Sequence, residues 1–545
     1  MSTPSPTPPT AFALATPHAL ATSAGQEAVR DGGNAVDAAL AAAIALTVVY
    51  PHQCSVGGDL IALVSRRGEQ PIAVNGSGAA PLAADPDAFG RHGPMPVTGP
   101  LTVTVPGVVA GWAGLSRAAG RLPFGSLFTR AIAYAREGVP TAPGVAHALA
   151  VEAPALAEDE GIREVFFEAG GPLTTGRPLV QPALARTLAA IADGGPSAFY
   201  QGAIGASIVE RLRNLGSPIT RDDFDRHRTE TTAPIGRTFR GQEYLTAPPN
   251  SQGMHLLQIL GALEHLDSGL DLLGTDAAVL ARIFQHAARD RDTHLADPRH
   301  ATVPVEELLD IAHIARIAEE ATHPTARTGP LGPIATAQAA RPSGDTVAVV
   351  AMDAEGNAIS LIQSLFHSFG SGILDPATGV LLHNRGSFFS LLPGAPNRLR
   401  GGSRPAHTLM PVLTRRGDSI TGAHGTMGGK AQPQIHTHIA LRLDAGDTPG
   451  TALHRPRWVI GGMEVNAPAD TAFAESETPT TATDSLRAAG LRLRIGGTLD
   501  EQVGHGQLVR AAPDGSLHAA ADPRSDGTAI ESLEPTTPSP IPHTP

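Results

Sequence analysis

Thr346 opens the β-rich run 346–352 (Thr-Val-Ala-Val-Val-Ala-Met) and follows Gly344-Asp345, at the end of a stretch without periodicity. A threonine hydroxyl is a weak nucleophile until a base takes its proton. The α-amino group of the same residue is such a base, because its ordinary pKa lies near neutrality. Cleavage of the Asp345–Thr346 peptide bond would therefore create nucleophile and base in one residue. The run passes through the turn Asp353-Ala354-Glu355-Gly356-Asn357 into 358–364, which predicts a β-hairpin. Pairing Met352 with Ala358 places Thr346 opposite Ser364, with Cβ atoms about 5 Å apart. The Ser364 hydroxyl then lies within reach of the Thr346 hydroxyl or the new amine. Further on, Gly425-Thr426-Met427-Gly428-Gly429-Lys430 is a glycine-dense turn. Two adjacent glycines let consecutive N–H groups aim at one anion, as an oxyanion hole requires. Taken alone, each feature has a plainer reading: threonine opens many strands, and a glycine pair makes a simple tight turn.

The surrounding elements must hold these groups together. Asn34 is a good N-cap for an alanine-dense helix over 35–46, with Asp37 in its first turn. Close backbone approach to such a helix predicts a central, buried position. Gly57-Gly58 leads into an apolar strand over 60–65. Residues 107–335 read mostly as helices, including 127–137, 182–192, 204–215 and 254–266. Residues 327–341 have the composition of a linker-like loop. Strand patterns follow it, at 346–364 and near 379–382, 409–414 and 508–511. Helices followed by sheet predict a layered α/β architecture. The Pro/Thr/Ser-rich ends, 1–10 and 535–545, are predicted to be disordered tails.

Composition excludes several classes. The 545 residues are 41% hydrophobic and 17% charged, as in a soluble globular protein. Forty basic residues against 52 acidic ones give a net charge of −12, which argues against a nucleic-acid partner. Cys54 is the only cysteine, so an internal disulfide or a cysteine-cluster zinc site is excluded. His436 and His438 stand two apart without a partner cluster, so no metal is expected. Cys54 itself is expected to be a small packed residue, and Asp290, Arg291, Asp292 and Asp297 a solvated or structural helix end. The apolar run 38–49 is too short for a membrane span, and the N-terminus lacks a signal-peptide pattern. The expected location is cytoplasmic. Lys430 is the only lysine; the other 39 of the 40 cations are arginines.

Several segments together resemble the γ-glutamyltranspeptidase family of N-terminal-nucleophile hydrolases, over residues 15–527. They are 32–39 (Gly-Gly-Asn-Ala-Val-Asp-Ala-Ala), 51–58, 248–253 (Pro-Pro-Asn-Ser-Gln-Gly), Gly344-Asp345-Thr346, 353–357, 369–372, Arg404-Pro405, Gly428-Gly429 and Asp522-Pro523-Arg524. The resemblance implies an α/β fold, a four-layer αββα sandwich of the N-terminal-nucleophile hydrolase type. It implies a precursor that cuts itself before Thr346. The products would be a helix-rich large subunit (11–345 after its tail) and a small subunit of 200 residues (545 minus 345), held together as a heterodimer. Thr346 matches the family nucleophile, Ser364 a family threonine that supports it, and Gly428 and Gly429 the oxyanion pair. Thr408 matches a family serine beside the substrate carboxylate. No cofactor is implied.

The departures bear on substrate. The family arginine that grips a γ-glutamyl carboxylate falls at Ser77, and the aspartate that holds its amino group falls at Phe388. A family asparagine falls at Phe366, and the first residue of a serine pair at His407. Arg385, in His383-Asn384-Arg385-Gly386, replaces a substrate-contacting glutamine, and Lys430 follows the oxyanion glycines. Two cations suit an acidic acyl group that lacks an ammonium. The Asn384-Arg385-Gly386 stretch resembles the hydrolase-only branch that includes oxamate amidohydrolases. The expectation is hydrolysis of an amide of a small acidic substrate, not a γ-glutamyl compound. Two alternatives remain: a carbon–carbon bond hydrolase releasing an oxalyl-type fragment in an actinobacterial alkylproline (antibiotic) pathway, and an unprocessed, non-catalytic binding protein.

Overall fold

The computed structural model describes residues 11–90, 94–323, 343–461 and 470–532. The tails at 1–10 and 535–545 and the loop at 327–341 lie outside the described residues.

Two antiparallel sheets stack face to face. The first has seven strands in the order Thr528–Ile530, Phe12–Thr16, Ser343–Asp353, Ala358–His367, Asp59–Ser65, Ile72–Gly76, Glu230–Thr232. The second has six, in the order Leu517–Ala521, His505–Ala511, Ser419–Met427, Val412–Arg416, Gln242–Thr246, Ile235–Phe239. The predicted hairpin is therefore the centre of the first sheet, and period-two alternation sorts its side chains between two cores. Val347, Val349 and Ala351 pack with the helical layer outside. Ala348, Val350 and Met352 pack between the sheets with Ile362, Leu413, Ala423 and Val509. A third apolar layer joins the second sheet to helices Gly253–Glu264 and Ala277–His294. Helix, sheet, sheet, helix is the expected four-layer sandwich.

The helix Ala35–Val49 is buried along its whole length. Asn34 and Asp37 form a reciprocal capping box, as the sequence indicates. The Ala35 N–H donates to the Asp353 carboxylate at 2.9 Å, so the helix start is fastened to the hairpin turn. Helices Thr129–Glu137, Ala203–Asn214 and Gly253–Glu264 match expectation within a few residues, and Pro182–Tyr200 runs on past a break at Gly195.

Besides four two-residue strands, reading 107–335 as mostly helical misses the strands there that belong to the two large sheets, Glu230–Thr232, Ile235–Phe239 and Gln242–Thr246. The last two form a hairpin with Phe239 opposite Gln242. Arg240 and Gly241 between them both have positive φ (48° and 74°), the two-residue turn that suits strand twist. An arginine in its first position hides the usual Asn-Gly or Asp-Gly signal. Among the described residues no helix is long and apolar enough to cross a membrane.

The two sheets approach closely at Gly425. A Cβ added there would lie 2.7 Å from Ala348 Cβ and 2.8 Å from Ile362 Cδ1. Gly425→Val should therefore force the sheets apart and cost about 1–3 kcal/mol, read as an earlier urea midpoint. An unchanged midpoint would mean that the inter-sheet packing yields freely.

Candidate active site

The strand Ser343–Asp353 runs through the Asp345–Thr346 bond. Its register with the next strand holds from Met352–Ala358 back to Val347–Gln363, then shifts at Thr346. The shift is a β-bulge, with Asp345 opposite Phe366. Phe366 adopts φ +82°, a left-handed conformation that a bulky side chain rarely takes. The bulge does not separate the two hydroxyls. Thr346 Oγ1 donates to Ser364 Oγ at 3.1 Å, and Ser364 Oγ also accepts the Phe366 N–H at 2.7 Å. Both side chains are buried. Ser364 is paired on its other side with Asp59 of the neighbouring strand. Thr346, Ser364 and Asp59 thus form a row across three adjacent strands.

The turn holding Gly428 and Gly429 packs against the strand that carries Thr346. Gly429 has φ +50°, a conformation that favours glycine. Gln252 fixes this turn: its Nε2 donates to the Gly429 carbonyl and to the Thr408 carbonyl, both at 2.8 Å. Neighbouring residues extend the clamp. Ser251 Oγ donates to Leu409 O at 2.7 Å, Asn250 Nδ2 to Pro405 O at 2.7 Å, and the His407 N–H to Asn250 O at 2.7 Å. The sequence offers the 248–253 motif only as a point of resemblance; the structure gives it this work. From the opposite side, Arg291 Nη1 donates to the Lys430 carbonyl at 3.0 Å. The helix end at 290–292, expected to be solvated or structural, therefore braces the glycine turn.

Arg385 and Lys430 converge on two phenylalanines. The Arg385 guanidinium carbon lies 3.7 Å from the centre of the Phe366 ring and 5.9 Å from that of Phe388. Lys430 Nζ lies 5.2 Å from the Phe388 centre and 3.7 Å from the Asp292 carboxylate. The two rings meet edge to face at 5.6 Å. Phe366 and Phe388 thus form the apolar walls between two cations. Arg385 is 1% exposed, and no carboxylate forms an ion pair with it among the described residues. Its Nη2 donates to Thr408 Oγ1 at 3.0 Å, while Nε and Nη1 are buried without partners. Burial pulls its pKa down to about 9, against the opposing pull of Asp59. Burial also lowers Lys430, with Asp292 acting against it.

His407 is fully buried. Its Nε2 faces Asp59 Oδ2 at 3.2 Å and its Nδ1 accepts the Leu409 N–H at 3.3 Å, which defines a neutral ring protonated on Nε2. Burial, reinforced by the Arg385 cation, pushes its pKa down to about 3. Ser77 is buried in a different network: its Oγ donates to Asn75 Oδ1 at 2.7 Å and accepts from Asn250 Nδ2 at 3.3 Å. That short hydroxyl is already held by two amides. No local pattern in the sequence marks Asp59, and His383 and Gln252 enter it only inside motifs, because their partners lie about 150 to 350 residues away. Cys54 is buried as expected, and burial pushes its thiol up to about 12. His436 and His438 are buried in the helix Gln432–Asp444.

Relatives of known family share this arrangement's chain length and fold. The family model described as Gamma-glutamyltranspeptidase matches residues 21–532. The chain is 36% identical over 526 residues to the glutathione hydrolase-like YwrD proenzyme of Bacillus subtilis, covering 95% of this chain and 98% of that protein. It is 34% identical over 526 residues to the oxamate amidohydrolase proenzyme of Klebsiella pneumoniae, covering 94% and 97%. Among solved structures, cephalosporin acylase from Bacillus halodurans superposes with a TM-score of 0.87 at 30% identity, covering 97% of this chain and 98% of that one. The chain therefore belongs to the gamma-glutamyltranspeptidase family and is an enzyme of its amidohydrolase type.

Proposed function

We propose that this enzyme cuts itself between Asp345 and Thr346 and then hydrolyses an amide of a small acidic substrate that carries no γ-glutamyl ammonium. In the first step the Thr346 hydroxyl attacks the Asp345 carbonyl, exchanging the amide for an ester. Water then hydrolyses the ester, leaving the Asp345 carboxylate and a free Thr346 amine. In turnover that amine takes the Thr346 hydroxyl proton, directly or through water. The oxygen attacks the substrate carbonyl, and the oxyanion faces the N–H groups of Gly428 and Gly429. The amine product leaves with the proton, and water releases the acyl group from Thr346. Ser364 holds the nucleophile's oxygen throughout. The 11–345 and 346–545 pieces remain joined, because the cut lies inside the central sheet.

The observation that carries the substrate reading is Arg385. It stacks on Phe366, two residues along the strand from Ser364, and keeps two nitrogens without a partner. A carboxylate on the acyl group would satisfy those nitrogens. Lys430 across Phe388 and the Thr408 hydroxyl complete an anion-receiving wall, with neutral His407 behind it. Ser77 and Phe388 offer neither of the charges that a γ-glutamyl group needs, so such compounds lose their anchors. The relative that hydrolyses oxamate, by its name, supports the same class of acid amide.

Purified protein should release ammonia from oxamate or succinamate and act poorly on γ-glutamyl-p-nitroanilide. Thr346→Ala should lower turnover by roughly 10⁴-fold or more. Preference for the γ-glutamyl compound would overturn the substrate reading, and release of an oxalyl fragment from oxo-dienoic acids in place of ammonia would assign carbon–carbon chemistry instead. Undiminished binding of acids by an uncut, inert chain would assign a binding role.

The same guanidinium makes a stability prediction. Removing one member of a buried, contacting ion pair typically costs about 3–5 kcal/mol. Arg385 has no contacting carboxylate, so Arg385→Met should unfold in urea within about 1 kcal/mol of the native chain, or later. The same variant should raise KM for an acid amide by about 30-fold or more. A stability loss of the full ion-pair size would mean that the cation is already satisfied and does not await a substrate.

A further inference from the structure

Next to Ser364 stands a buried carboxylate to which the mechanism gives no task. Asp59 is 1% exposed and stands in the row with Thr346 and Ser364, directly opposite Ser364. Its Oδ1 accepts the Gly78 N–H at 3.1 Å. Its Oδ2 lies 3.2 Å from His407 Nε2 and 3.4 Å from His383 Nδ1. The far nitrogen of His383 donates to the Thr104 carbonyl at 2.9 Å, which fixes that ring from its Nε2 side. Burying an ionised carboxylate is costly unless something on the inside needs its charge. The two imidazoles outweigh burial here and hold the Asp59 carboxyl below the usual carboxylate range.

What needs the charge is Arg385. From the hairpin strand Arg385 is faced by Phe366; from its own turn, by Phe388; from the 404–409 segment, by His407 and the Thr408 hydroxyl. Lys430 lies over the opposite part of Phe388 and has its own carboxylate, Asp292. His407 is neutral, so Asp59 is the negative charge that acts on Arg385. The contact is indirect. Asp59 fixes the His407 ring, the next residue is Thr408, and the Thr408 hydroxyl receives Arg385 Nη2.

We propose that Asp59 is the positioning residue of the acid-binding pocket: it holds the 407–408 segment on which Arg385 rests, so that the pocket selects an acyl group ending in a single carboxylate. This inference rests on the substrate reading above. It separates two roles along one row of side chains. Thr346 and Ser364 handle the scissile bond, while Asp59 acts on recognition. An Asp59 change should therefore affect the affinity for an anion and leave the chemical step nearly intact. Without that carboxylate the His407 ring loses the partner of its Nε2, and the Thr408 hydroxyl that receives Arg385 is no longer held in place.

The test uses full-length protein carrying Asp59→Asn, with self-cleavage on a denaturing gel as the check on folding. Three monoamides (oxamate, succinamate, glutaramate) are compared with their neutral diamides (oxamide, succinamide, glutaramide) by ammonia release and calorimetric binding. For the monoamide that the native protein handles best, KM should rise about 30-fold or more while kcat stays within about threefold. Constants for the matching diamide should not change. Combined with Arg385→Met, Asp59→Asn should add no further loss, because both act through one cation.

His407→Gln supplies a second variant. It keeps the Asp59 charge but removes the ring through which Asp59 reaches the 407–408 segment, so it should also raise KM for the monoamide, non-additively with Arg385→Met. Equal losses on monoamide and diamide, a kcat loss at constant KM, or additivity with Arg385→Met would overturn the role given to Asp59. If Asp59→Asn fails to cleave itself, additivity of His407→Gln with Arg385→Met overturns it in the same way. Native protein that binds none of the monoamides would overturn the substrate reading and this role together. Monoamide binding that survives Asp59→Asn unchanged would overturn the role alone.

Discussion

The hydrogen bond between Thr346 and Ser364 is the contact on which the rest of the site depends. It crosses the two central strands of the first sheet, at a bulge, in the space between two stacked sheets. Both side chains are buried there, so each polar group needs a hydrogen-bond partner. The strain of Phe366 belongs to the same point: its left-handed backbone turns the strand so that its N–H reaches Ser364 and its ring lies under Arg385. One local distortion thus joins the nucleophile's partner to the cation that would recognise the substrate. Strained backbone at such a junction is maintained only because the surrounding structure over-determines it.

That surrounding structure comes from distant parts of the chain. The clamp at Asn250, Ser251 and Gln252 ties the 405–409 segment to the glycine turn, and Arg291 braces the turn from behind. Asp59 completes the arrangement on the recognition side. Elements on both sides of the Asp345–Thr346 bond contribute. Phe12–Thr16 and Asp59–Ser65 flank the hairpin within one sheet, and Gln242–Thr246 lies in the other beside Val412–Arg416. A cut at that bond would leave two chains interleaved through both sheets, which is a physical reason for them to remain together.

Much of this was legible in the sequence, for identifiable reasons. The hairpin is local, its turn is marked by Asp353 and Gly356, and its register follows from arithmetic on one pairing. Thr346 and Ser364 could therefore be placed opposite each other. The bulge could not be foreseen, since nothing in Ser364-Leu365-Phe366 marks a positive φ. The capping box of Ala35–Val49 is also local and was readable. Arg385 and Lys430 stand out as departures within a resemblance, but their shared phenylalanine walls join positions 366, 385, 388 and 430 through the fold alone. Asp59 opens an apolar strand after two glycines and resembles a turn residue, so its sequence context does not mark it. The strands at 230–246 were hidden by their length and by the arginine in their turn.

The central claim is that this polypeptide is a precursor whose threonine becomes a chain terminus. Intact mass and N-terminal sequencing of the purified native protein test it most directly. The account predicts two chains, the smaller of 200 residues (545 minus 345) beginning Thr-Val-Ala-Val with a free amine. An active protein made of one unbroken 545-residue chain, or one cut at another bond, would contradict it.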